Sequence, residues 1–102
     1  MTGAVADRDE ILSSRVVIPD NVVLRAFEAE TLLLNLDTGT YHGLNQTGAR
    51  MLDLLRETDG DVGRSLETLS QEYDMPQDEL AEDLVRLCRE LVDRGLLELV
   101  PR

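Results

Sequence analysis

The chain has 102 residues, room for one domain of ordinary size. Hydrophobic residues make up 42% and charged residues 30%, a globular balance, yet aromatics reach only 3%, so the core must be built from Leu, Val, Ile, Ala and Met. The formal net charge is −11, with 21 acids against ten arginines and no lysine, and the arginines are scattered from Arg8 to Arg102. That composition excludes the basic stripe with which proteins neutralise phosphates, and a basic or neutral peptide is the better electrostatic match.

Cys88 is the only cysteine, which excludes an internal disulfide and a cysteine-based metal cluster; within its apolar helical pattern it reads as a small buried hydrophobe. The N-terminus carries no apolar run of signal-peptide length, and no segment approaches the roughly 18 apolar residues of a membrane span. The expected setting is soluble and cytoplasmic.

In chain order, residues 1–15 are polar without a sustained period and predict a flexible N-terminal arm, partly ordered near Ile11 and Leu12. Residues 16–100 are expected to form a single domain. After the turn-prone Pro19-Asp20-Asn21, the β-branched and aromatic residues of Val22–Phe27 predict a first strand. Glu30–Leu36 is a second, with Leu32, Leu34 and Leu36 on one face at period two. Asp37-Thr38-Gly39 makes a compact turn into a short third strand, Thr40–Leu44, which is left as an open edge of an antiparallel meander.

From Asn45, a suitable N-cap, the period becomes helical, with Ala49, Leu52 and Leu55 on one face. Thr58-Asp59-Gly60-Asp61 stops that helix, and a second runs from Val62 to Tyr73 through Leu66 and Leu69. Pro76 suits the first position of a third helix, and Asp78 and Glu79 favour its positive N-terminal end. Its stripe of Leu80, Leu84, Leu87 and Leu91, flanked by Ala81, Val85, Cys88 and Val92, is wider than one buried seam requires. Gly95 ends the helix, and Leu96–Val100 is a closing extended segment. Three antiparallel strands followed by three helices make an α+β fold of winged helix-turn-helix type.

No Gly-rich phosphate loop, HExxH, CxxC or GxSxG is present. His42 is the sole histidine; a catalytic role would require a nucleophile and an orienting acid, and a partly exposed strand histidine is the simpler reading. Adjacent acids such as Asp78-Glu79 and Glu82-Asp83 diverge on a helix and read as a solvated face. The sequence therefore points to a protein with no catalytic residues, no metal site and no cofactor.

The stretch Leu33-Leu34-Asn35-Leu36-Asp37-Thr38-Gly39-Thr40-Tyr41-His42-Gly43-Leu44-Asn45, with the Gly95-Leu96-Leu97 ending, resembles the PqqD-like family over roughly residues 16–99. The resemblance implies a RiPP recognition element, a domain that holds the leader of a ribosomally made precursor peptide and presents its core to modifying enzymes. In that family the leader adds as an extra strand beside the third strand and lies against the third helix. A stand-alone chain of this length looks most like the leader-binding partner in lasso-peptide systems, where a separate leader peptidase and a cyclase act. A PqqD relative serving as peptide chaperone for a radical enzyme is the neighbouring possibility.

The residues themselves agree. An open edge strand offers unpaired N–H and C=O groups, and Gly43 removes a side chain where another backbone could approach. The expected peptide-contacting residues are Thr40, Tyr41, His42, Gly43 and Leu44 on the strand, with Leu84, Leu87 and Cys88 on the helix; Asp83 and Glu90 border that arc, placed to pair with a basic leader side chain. The helix period does not choose which flank faces the groove. Two further readings stay open: a winged helix that binds DNA, opposed by the charge, and a dimerisation module that uses the same edge on itself.

Overall fold

A computed structural model describes residues 7–28 and 30–100. In chain order its elements are α1 (Arg8–Leu12), β1 (Arg15–Val17), β2 (Val22–Phe27), β3 (Glu30–Asn35), β4 (Tyr41–Leu44), α2 (Gln46–Glu57), α3 (Val62–Glu72), α4 (Gln77–Asp93) and β5 (Glu98–Val100). Strands β2, β3 and β4 form an antiparallel meander, and β1 pairs with β5 in a separate two-stranded sheet. The three helices after the meander complete the winged helix-turn-helix type of α+β fold, with a short N-terminal helix and a second small sheet added to it.

Local chemistry explains the boundaries. Asn45 caps α2 by accepting from the Gly48 N–H at 2.9 Å, and Asp61 caps α3 by accepting from Arg64 at 3.1 Å. Between them Gly60 takes φ +85°, and a Cβ there would collide with the Val16 carbonyl, so the turn admits no larger residue. Pro76 stands at the N-cap of α4, one position before the place expected of it, and Asp78 and Glu79 fill the first helical turn. On α4 the buried arc comprises Leu80, Ala81, Leu84, Val85, Cys88 and Leu91; Leu87 and Val92 lie half-buried on its flanks.

Residues 7–15 are ordered at Ile11 and Leu12, as expected, and on either side of them, where a flexible arm was expected. Asp7 caps α1 through the Glu10 N–H at 2.8 Å, Ile11 is buried, α1 packs on α3 and α4, and Arg15 already belongs to β1. A five-residue helix has no independent stability, so burial of Ile11 is what holds it in place. Residues 1–6 of the expected arm lie outside the described residues.

The buried face of β3 is that of Leu33 and Asn35. Leu33 is fully buried and Asn35 nearly so, whereas Leu32 and Leu34 are half-exposed and Leu36 falls outside the strand at 61% exposure. Period two holds along the strand, with Leu32 and Leu34 on the less buried face. Asn35 decides it. Its Oδ1 accepts from the Asp37 and Thr38 N–H groups at 2.9 and 3.1 Å and from Asn21 Nδ2 at 3.3 Å, while its Nδ2 donates to the Gly95 carbonyl at 3.0 Å. With both ends of its amide bonded, Asn35 can be buried, and it ties the β3–β4 turn to the C-terminal end of α4.

Candidate functional site

The meander has two outer strands, and backbone alternation fixes what each presents. Asn35 N–H donates to the Thr40 carbonyl at 2.8 Å, making that a hydrogen-bonded pair. With the register Leu34↔Tyr41, Leu33↔His42, Leu32↔Gly43 and Thr31↔Leu44, hydrogen bonding then falls on His42 and Leu44. Tyr41 and Gly43 are left to turn their N–H and C=O groups away from β3, toward the open edge. His42 and Leu44 share the buried face with Leu33, and the side chain of Tyr41 lies on the outer face at 64% exposure.

Beside this edge runs a groove of about 420 Å³. Its strand side is His42, Gly43 and Leu44; α4 contributes Leu80, Asp83, Arg86, Leu87 and Glu90; α2 contributes Met51, with Asn45, Thr47 and Gly48 at its start; Tyr73 and Met75 come from the connection between α3 and α4. Across it, His42 Nε2 stands 3.8 Å from Glu90 Oε1, and Asp83 is ion-paired to Arg86 at 2.7 Å. An apolar floor with charged walls beside an unpaired strand edge can hold an extended peptide through its backbone and read alternate side chains.

Six of the ten residues singled out from the sequence are brought together here: His42, Gly43, Leu44, Asp83, Leu87 and Glu90. The other four are not on the groove. Leu84 and Cys88 are fully buried, because the helix turns the Leu87 flank outward and not their own. Burial pushes the Cys88 thiol up to about 12, which removes any nucleophilic role. Thr40 precedes β4 and is engaged with the Thr38 hydroxyl in the turn, and Tyr41 offers the edge only its backbone. A Cβ on Gly43 would stand 3.1 Å from Glu30 Oε2 on the outer face, a contact that the end of the exposed Glu30 side chain can relieve. Sequence reasoning missed Met51, Tyr73, Met75 and Arg86. The only prior signal was apolar Tyr73 and Met75 in an otherwise polar helix connection.

A second cavity of about 330 Å³, lined by Val16, Ile18, Leu52, Leu55 and Leu97 among others, contains none of the residues singled out from the sequence. Among the described residues no group of three or more His, Cys, Asp or Glu side chains could hold a metal ion, and no helix is long and apolar enough to cross a membrane.

Residues 30–97 match the family model of PqqD, coenzyme PQQ synthesis protein D. The chain belongs to the PqqD family. Two solved structures share its fold. One is TbiB1 in complex with the TbiA(beta) leader peptide, 34% identical, with a TM-score of 0.72 over 79% of this chain and 93% of that one. The other is lasso peptide synthetase B1 complexed with the leader peptide, with a TM-score of 0.74 over 82% of this chain and 98% of that one; at 19% identity it speaks for the fold alone. No curated protein matches the chain.

Proposed function

We propose that this PqqD-family chain is a non-catalytic leader-binding protein of ribosomal peptide biosynthesis, one that captures an extended precursor leader as a fourth strand on β4. The observation that carries the reading is the open β4 edge, with the backbone groups of Tyr41 and Gly43 turned outward, lying beside a groove walled by α4. The likeness to TbiB1 supports a lasso-peptide setting, in which the bound leader is delivered to a leader peptidase and a cyclase in the cytoplasm. Service to a radical enzyme, as PqqD-type chaperone, is the second reading and is favoured by the family match.

Calorimetric titration with a synthetic candidate leader tests this. Ordering a disordered peptide costs about 2–5 kcal/mol, and a Kd of roughly 10 nM to 10 μM is expected after that cost. A proline placed mid-leader, which removes a ladder N–H, should weaken binding; equal affinity with and without it would sink strand addition.

A further inference from the structure

We infer that the groove selects a leader with a lysine or arginine at the position opposite His42, and that Glu90 is the residue that reads it. The inference rests on strand capture at β4. A peptide hydrogen-bonded to Tyr41 and Gly43 sets one residue directly opposite His42, and opposed residues share a face of the sheet. That face is the one turned to α4, where Glu90 Oε1 stands 3.8 Å from His42 Nε2.

The charges around that position are unevenly matched. Asp83, about two helical turns before Glu90 on α4, is paired to Arg86 at 2.7 Å. Glu90 has for its ion-pair partner the His42 imidazole, which is positive only when protonated, and its own side chain is 47% exposed. Half-buried Leu87 lies beside it on the groove wall and offers an apolar surface to an aliphatic stem. A long cationic side chain fits that sequence of surfaces, stem on Leu87 and head on Glu90. An acidic leader residue there would meet Glu90 without compensation, and the net charge of −11 adds a general bias in the same direction.

Selection of a displayed library of short random peptides against the full chain separates these ideas. Enriched peptides should carry Lys or Arg at one position of the strand alternation. Replacing that residue with Met should weaken binding roughly threefold to tenfold. Glu90→Gln should abolish this preference, while Glu82→Gln, which removes the same charge from an exposed position on α4 outside the groove, should keep it. Peptides that bind and lose affinity on Tyr41→Pro, but show no cationic preference or the same preference on Glu90→Gln, overturn the role of Glu90 and leave strand capture standing. Peptides that bind Tyr41→Pro as tightly as the parent chain, or an absence of enriched peptides on folded protein, overturn strand capture and this inference together.

Discussion

Strands β2 and β4 are the two outer strands of the meander, each with one row of backbone groups that no strand pairs, and the β4 row borders the groove against α4. On β2 the hydrogen bond from Leu36 N–H to the Asn21 carbonyl fixes the alternation, so Val22, Leu24 and Ala26 face outward. The Val22 N–H is taken by the Pro19 carbonyl at 3.0 Å, and the Leu24 carbonyl accepts from Arg25 Nη1 at 3.1 Å. Arg25, Ala26 and Phe27 then run out into solvent. On β4 the outward edge at Gly43 borders the groove whose other wall is α4. An unpaired edge is thus a hazard or a site depending on its flank: a charged side chain folded onto it blunts it, and a helix set one groove away gives a partner strand something to bury against.

The largest test of that difference unlatches β4 from its wall. Asn35→Ala removes the bond to Gly95 and leaves the Asp37 and Thr38 N–H groups without their acceptor, so a loss of about 2–4 kcal/mol is expected in denaturant unfolding. A loss below about 0.5 kcal/mol would show that the β3–β4 turn does not depend on the latch. A smaller effect compares the edges themselves. Tyr41→Pro deletes an outward N–H without touching the pairing with β3 and should weaken peptide binding on the order of tenfold, whereas Ala26→Pro, the same deletion on β2, should leave affinity unchanged. Equal losses at both edges would mean that the peptide does not choose between them.

These contrasts mark where the sequence was readable. The three meander strands, the three long helices, the Asn45 cap and the Asp37–Gly39 turn follow from local chemistry, and so they could be placed from residues alone. The buried face of β3 could not. Leucines occupy both faces, and the residue that settles the matter is Asn35, whose deciding partner, Gly95, lies 60 positions away. For the same reason α1 was hidden: Ile11 is held by helices distant in sequence. The groove was half legible. Period two found His42 to Leu44 on the strand, but on α4 an apolar arc that covers two flanks gave no means to prefer Leu87 over Leu84 and Cys88.

A weaker test returns to the blunted edge. Arg25→Thr frees the Leu24 carbonyl and inserts a residue of high strand preference, while exposed position 25 should change stability by no more than about 0.5 kcal/mol. Sedimentation at rising concentration should then show more self-association than the parent chain does. If the variant associates no more than the parent, Arg25 is not what protects β2.

The smallest effect supplies the control for all the others, because it acts on stability common to both edges. Arg50 on α2 grips both carboxylate oxygens of Glu72 on α3, at 2.9 and 2.6 Å, and reaches Glu57 at 3.3 Å. The hydrogen bonds from Arg50 hold the Glu72 carboxyl below its ordinary value of 4.5. A carboxylate lowered in the folded state contributes stability above its unfolded value, and that contribution disappears as pH falls through the folded value. The thermal midpoint should therefore drop on acidification below about pH 4.5, and Glu72→Gln should flatten that part of the curve. Both groups are solvent-accessible, so the change should be slight and should shrink further in salt. Peptide affinity at neutral pH should be the same in Glu72→Gln as in the parent chain; a drop there would mean that the α2–α3 clamp shapes the groove as well as the fold, and losses seen at β4 would no longer be attributable to its edge alone.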